Sequence, residues 1–364
     1  MMSMQGRWRI FVRCKVCRRG WPNGILERVS KMKSVHLIIP DLFLPGEYAS
    51  EACAGMSLPA LEAMLARGSS ETIAPATLED LLWTLFRMPS RDDASVASVS
   101  AAFDGLGPGC WMRADPVHLR AGLNDLTLID ATDITLSQHD AILLGTPLHE
   151  IFSESGWLFE IPMAKRWYLK LDDYPDAETT EIGAVRGRDV QHLMPQGGDR
   201  PRLERIMTEV QMTLHNNQHN LEREWRGEPV LNSLWFWGCG RLPENLDTRF
   251  SKIISDDPVA RGLATLAGIP FTSPPEDLET LLQDTGGSDS LLIARDDLDV
   301  NVSYQDFGSW EQAMLALEDD WFAPALHALQ QGDLDRVAII GTGMEYRIGW
   351  YSLKKFWCRN RAVI

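Results

Sequence analysis

The residue pattern predicts an α/β protein: a mixed, mostly parallel sheet with flanking helices and a β-hairpin close to the C-terminus. Three observations carry that prediction. Short apolar runs at 35–40 (VHLIIP), 126–130 (LTLID) and 291–294 (LLIA) have the length and composition of buried strands. Between them lie stretches with apolar residues at helical spacing, as at Leu203, Ile206, Val210 and Leu214. Near the end, 336–340 and 346–350 flank Gly341-Thr342-Gly343, which reads as a hairpin.

Taken in order, 35–40 is the first strand, and Asp41 follows its C-terminal end, where open α/β sheets place ligands. Helices are expected at 58–67 and 78–87. Thr77 caps the second, with Glu79 and Asp80 in its first turn. The segment 90–100 is small and polar, 105–109 is a turn, and 110–114 leads into Asp115-Pro116. After the strand at 126–130, a helix is expected at 137–144 and a short turn after Pro147. RWYLKL (166–171) alternates as a strand with one wet face, and 172–188 is a long acidic connection. A turn at 196–199 starts a central helix. It is followed by a polar segment at 219–224 and an aromatic strand at 232–237 that stops at Gly238-Cys239-Gly240. Helices at 258–267 and from Pro274 to Leu282, the strand at 291–294 and a long helix at 310–329 complete the chain before the hairpin.

A chain of 364 residues suits one large domain or two joined lobes. Here 32–364 is expected to form a single α/β domain with two lobes. The head, 1–31, stands apart: Arg7, Arg9, Arg13, Lys15, Arg18, Arg19, Arg28 and Lys31 face the single acid Glu27. It reads as an extension outside the fold, with translation starting at Met1 or at Met32. A formal charge of −16 argues against nucleic-acid binding, which needs a basic surface. No apolar run reaches bilayer-spanning length, and the head lacks the apolar run of a secretory signal, so the expectation is a cytoplasmic protein. Cys14 and Cys17 have metal-ligand spacing but no second pair, while Cys53, Cys110, Cys239 and Cys358 are isolated along the chain, as reduced thiols would be.

Two stretches concentrate polar side chains beside large rings, the composition of a small-molecule pocket: 113–130 and 205–240. Asp115, His118 and Arg120 form an acid–imidazole–guanidinium group; Gln211 and His215 share one helix face. Asn220 and Arg223 follow the helix, Asn232 opens the aromatic strand, and Trp235 and Trp237 share one face of it. These ten residues are expected to converge on one concave site, with Arg120 and Arg223 contacting a small anionic ligand. No catalytic residue and no metal ligand follows from the residues: GxSxG, HExxH, the Walker pattern and GxGxxG are absent.

At ADPVHLR, EVQMTLH, NLEREWRG, LNSLWFWGCG and KKFWCRNRA the chain, from about Met32 onward, resembles the bacterial regulator of pathogenicity factors E family. Members are commonly labelled similar to cofactor-independent phosphoglycerate mutase. That resemblance implies an alkaline-phosphatase-like fold and phosphoryl transfer with paired Mn or Mg ions, a Ser or Thr nucleophile and Asp/His ligands. Asp41 matches the strand-end Asp of such a site by position. It is followed by Leu42 rather than Gly, and no Asp-His dipeptide occurs. The expectation is therefore a non-catalytic, ligand-binding or regulatory protein without a cofactor, on a phosphoglycerate-mutase-like scaffold. The alternative is a metal-dependent phosphoryl-transfer enzyme.

Overall fold

A computed structural model describes residues 33–44, 48–49, 53, 55–74, 77–88, 96–243, 246–283 and 289–354, apart from the side chain of residue 133. The basic head with Cys14 and Cys17, the segment 89–95 and the end of the chain with Cys358 lie outside the described residues. Seven strands form the first sheet: β1 (Ser34–Ile38), β2 (Ser69–Thr72), β8 (Lys252–Ile254), β9 (Phe271–Thr272), β10 (Ser290–Ala294), β11 (Arg336–Gly341) and β12 (Met344–Gly349). The second sheet holds β3 (Cys110–Ala121), β4 (Leu126–Asp130), β5 (Leu158–Met163), β6 (Arg166–Leu171) and β7 (Ser233–Gly240).

The first sheet runs β2-β12-β11-β1-β10-β8-β9. From β11 to β9 it is parallel, and the β11–β12 hairpin adds an antiparallel edge that β2 extends. This is the mixed, mostly parallel sheet that the apolar runs predict. β1 reads as a nearly unbroken apolar run because both of its faces are covered. Val35 and Leu37 pack against the helices Pro59–Arg67, Phe307–Leu317 and Ala323–Gln331. On the opposite face Ile38, with Leu292 and Ile340, packs against the helices Leu78–Leu85 and Pro258–Ala267. Trp235 and Trp237 of the second sheet belong to that same cluster, so one core is shared by both sheets.

The second sheet is antiparallel throughout and stands beside the expected mixed, mostly parallel one. Its spine is β3, which runs straight through Asp115-Pro116 instead of ending there. Cys110–Arg113 pairs with β6 and Val117–Ala121 with β4, so Pro116, which has no N–H to donate, falls where β3 changes partner. Alternation then sorts the side chains. Met112, Ala114, Leu234 and Phe236 pack under the helix Arg200–His215, whose Leu203, Ile206, Val210 and Leu214 are buried as the helical spacing requires. Val117, Leu119, Trp235 and Trp237 face the shared core. The polar segment at 219–224 is itself helical, within Gln218–Trp225 and capped by Asn217.

The long helix expected at 310–329 is interrupted by a π-helical turn, Glu318–Phe322. That turn inserts buried Glu318 toward the N-terminus of the helix Pro59–Arg67, where its carboxylate accepts from the N–H groups of Ala60 (2.5 Å) and Leu61 (3.1 Å). Those donors have no partner within their own helix, and no side chain of Leu58 caps them. Glu318→Ala should therefore cost about 1–3 kcal/mol, the penalty of stranding buried donors. Urea unfolding with an unchanged slope and a lower midpoint would show it, whereas an unchanged midpoint would contradict the capping role.

Candidate functional site

Because β1, β8, β10 and β11 run parallel, their C-terminal ends deliver the next residues to one edge of the sheet. Asp41 follows β1, Asp257 follows β8, Asp296 and Asp299 follow β10, and Thr342 follows β11. All five line one cleft of about 1160 Å³. Asp41 stands at φ 59, a conformation uncommon for any residue but Gly. It is held there from three sides. Its N–H donates to Thr342 Oγ1 (3.0 Å), its Oδ1 accepts from that hydroxyl (3.2 Å), and its carbonyl accepts from Trp310 Nε1 (3.1 Å). Asp257 caps the helix Pro258–Ala267 through the Ala260 N–H (2.7 Å).

The facing wall is basic and comes from the second sheet and the 172–188 connection. Arg113, on β3, forms a buried pair with Asp115 (2.8 Å). Arg186 bridges Asp130 (2.8 Å) and Asp299 (2.5 Å). Arg188, exposed, and Lys165 also line the cleft, and no carboxylate among the described residues forms an ion pair with either. Gly187 separates the two arginines at φ 68, and a Cβ there would run into the Ser303 carbonyl. Thr77 stands on the same lining as the N-cap of Leu78–Leu85, its hydroxyl 2.6 Å from Glu181 Oε2.

Burial sets the electrostatics. Desolvation pushes Asp41 up to about 6, with Asp299 adding to the rise. It lifts Asp257 to about 6 as well. Glu79 is driven well up by burial and by the neighbouring Glu181 and Asp257. Asp299 is raised by burial although Arg186 pulls it down. The edge thus collects carboxyl groups that hold their protons more tightly than free ones do.

The ten sequence-expected residues do not converge here. Asp115 and Trp237 line the cleft, bonded to each other through Trp237 Nε1 and Asp115 Oδ2 (2.7 Å), and burial raises Asp115. His118 and Arg120 lie an odd number of positions from Asp115 on an unbroken strand, so they take the opposite face. His118 Nδ1 meets the Val230 carbonyl (3.0 Å), and Arg120 is exposed. Gln211 bonds Ser233, and His215 is exposed at the end of its helix. Asn220 bonds Leu214 and Leu231, and Arg223 bonds Thr135 and Pro229, in each case through backbone groups. Asn232 bonds both backbone groups of Leu119 in the manner of an added strand residue, and Trp235 donates to the Thr180 carbonyl (2.7 Å). The stretches do adjoin, as the pairing of Asp115 with Trp235 shows, but as strands in register rather than as a pocket.

The acids that join Asp41 at this edge have a sequence signal. The apolar runs VHLIIPD, KIISDD and LLIARDD each end in acid within a few residues, three strand ends with one chemistry.

The fold and cleft define a mixed α/β protein with its polar chemistry at the C-terminal edge of a parallel sheet. Among solved structures, the chain is similar in fold to the PH0037 protein from Pyrococcus horikoshii: TM-score 0.52, 12% identity, 88% of each chain covered. A cofactor-independent phosphoglycerate mutase from Thermoplasma acidophilum overlaps more loosely, at TM-score 0.39 and 15% identity over 87% of this chain and 89% of that one. No protein-family model and no curated protein matches the sequence. Asp41, Asp257, Asp296 and Asp299 offer the oxygen donors that Mg²⁺ and Mn²⁺ prefer. Asp257 is engaged by a helix cap, Asp299 by Arg186 and Asp41 by Thr342, and among the described residues no three His, Cys, Asp or Glu side chains converge as a metal site. The residues as placed do not fit a paired-metal centre.

The raised carboxyls make a pH prediction. A carboxyl whose proton is held more tightly in the folded state adds stability fully below its ordinary value, 3.8, and loses it as pH rises through about 6. Asp41→Asn, which tolerates the left-handed backbone, should flatten that loss by on the order of 1 kcal/mol between pH 4 and pH 8. Urea midpoints of both proteins across that range check it; parallel curves would contradict the assignment.

Proposed function

We propose that the chain is a non-catalytic, ligand-binding or regulatory protein on a phosphoglycerate-mutase-like scaffold. Its cleft between the sheets takes a small ligand with a phosphate or carboxylate group. The observation that carries this reading is the basic side of the cleft: Arg188 and Lys165 project into it beside Arg186, and none of the described carboxylates pairs with the first two. An anion seated there gains charge-assisted hydrogen bonds, taking the place of the Thr132 carbonyl that Lys165 Nζ now meets at 3.2 Å. Across the cleft, carboxyls that retain protons near pH 6 donate to the ligand's hydroxyl or carbonyl oxygens and repel it less than ionised ones. The resemblance to the regulator of pathogenicity factors E family supports the scaffold part of this reading.

Titration with 3-phosphoglycerate and inorganic phosphate, followed by the fluorescence of cleft-lining Trp237 and by calorimetry, tests it. Arg188→Ala should weaken binding at least about tenfold, the loss of one charge-assisted contact. Because Arg188 is exposed, its melting temperature should hold. Arg120→Ala, on the other face of β3, should bind as the unaltered protein does. Failure of both anions to bind, or equal binding by Arg188→Ala, would rule the reading out.

One observation favours phosphoryl transfer as a second reading. The Thr77 hydroxyl, on the cleft and 2.6 Å from Glu181 Oε2, has the geometry of a nucleophile beside a general base. Thr77→Asn keeps a helix-capping side chain and removes the nucleophile, whereas Thr77→Ser keeps both. Phosphatase turnover that survives in the serine variant and vanishes in the asparagine variant would establish this reading over the first.

A further inference from the structure

Cys110 and Cys239 look isolated along the chain, yet β3 and β7 bring their sulfurs to 3.8 Å. Both sit on the face of the second sheet that packs away from the cleft. Cys110 is buried on β3, and Cys239 is half-buried on β7, so a small oxidant has an approach through the second thiol. The pairing of β3 with β7 shifts register between Trp111 and Arg113, opposite this point. Cys239 stands between Gly238, at φ 64, and Gly240. A bulge flanked by two glycines is the part of a ladder best able to move by the small amount that separates the present contact from a bond of about 2.05 Å.

The charged and polar surroundings favour reaction at Cys110. The contact with Cys239 lowers the proton affinity of Cys110, and Arg241, paired with Asp173 at 3.6 Å, adds positive charge nearby. The Cys239 thiol is correspondingly raised by the Cys110 sulfur and by burial. Tyr174 holds the Cys239 carbonyl through its hydroxyl (2.7 Å), fixing the outer side of the bulge.

We propose that Cys110 and Cys239 form a reversible oxidation site that a peroxide converts into a disulfide across β3 and β7. The Cys110 thiolate attacks the O–O bond of hydrogen peroxide. An S–O bond forms, the O–O bond breaks, and the departing hydroxide takes up a proton to leave as water. Cys239 sulfur then attacks the Cys110 sulfenic acid. The S–S bond forms, the S–O bond breaks, and hydroxide leaves with the Cys239 proton as a second water. In sum, two thiols and one peroxide become one disulfide and two waters, each sulfur giving up one electron to the peroxide oxygens.

The test uses the full chain, reduced, treated with hydrogen peroxide under native conditions, alkylated and digested for peptide mass mapping. Mapping matters because Cys14, Cys17, Cys53 and Cys358 are also present. The expected product is a peptide pair joined through Cys110 and Cys239, lost on treatment with dithiothreitol. In Cys239→Ser, which alters only the half-buried partner, the Cys110 sulfenic acid should persist and be trapped by dimedone. Sulfinic or sulfonic acid at either residue without the cross-link, links only to other cysteines, or two unmodified thiols would overturn the proposal.

Discussion

β1 runs parallel to both β10 and β11, with Ser34 standing beside Ser290 on one side and Arg336 on the other. Three strands therefore leave the sheet at the same edge, and β8 joins them one strand further out. Reversing any of these strands would send its polar follow-on to the far side of the molecule. The parallel register also needs both faces covered, which helices supply on one side and two further helices together with Trp235 and Trp237 of the second sheet supply on the other. From that constraint comes the cleft: the second sheet must sit over the strand-end face to bury Trp235 and Trp237, and its own polar groups then line the opposite wall.

Crowding carboxylates at that edge is unfavourable, and the protein manages it in two ways. Some are held by donors at fixed positions, as Asp299 and Asp130 are by Arg186 and Asp257 is by a helix N-terminus. Several keep a raised proton affinity as well, Asp257 and Asp299 among them with Asp41 and Glu79. Neither arrangement optimises stability, since a buried ion pair recovers little more than its own desolvation and a raised carboxyl destabilises the fold when ionised. Such departures from the most stable choice gather where ligands bind. The left-handed backbone of Asp41 belongs to the same pattern.

Much of the architecture was legible in the residues because burial on both faces leaves a plain signature. The run at 35–40 and the helical spacing from Leu203 to Leu214 appear where the pattern puts them, and the alternating ring strand does too but runs on through Gly240 instead of stopping at Gly238. The antiparallel sheet was harder to see. β3 carries a proline at its centre, and that proline marks a change of partner rather than the strand's end. The residues of the expected site are dispersed for a related reason. Asp115, His118 and Arg120 look like a cluster in sequence, but a continuous strand sends the first to one face and the other two to the opposite one. Asn220, Arg223 and Asn232 are rich in hydrogen-bonding capacity, and backbone carbonyls and amides absorb it. The strand-end acids were visible in KIISDD and LLIARDD, and only the topology shows that they meet Asp41.

On the proposed reading, ligand binds at the strand-end cleft and not along the segment from Gln211 to Arg223. Hydrogen–deuterium exchange with and without 3-phosphoglycerate separates the two directly. The account predicts slower exchange at 182–188 and 295–303 on binding, with 211–223 unchanged. Protection confined to 211–223, with the cleft segments unaltered, would contradict it.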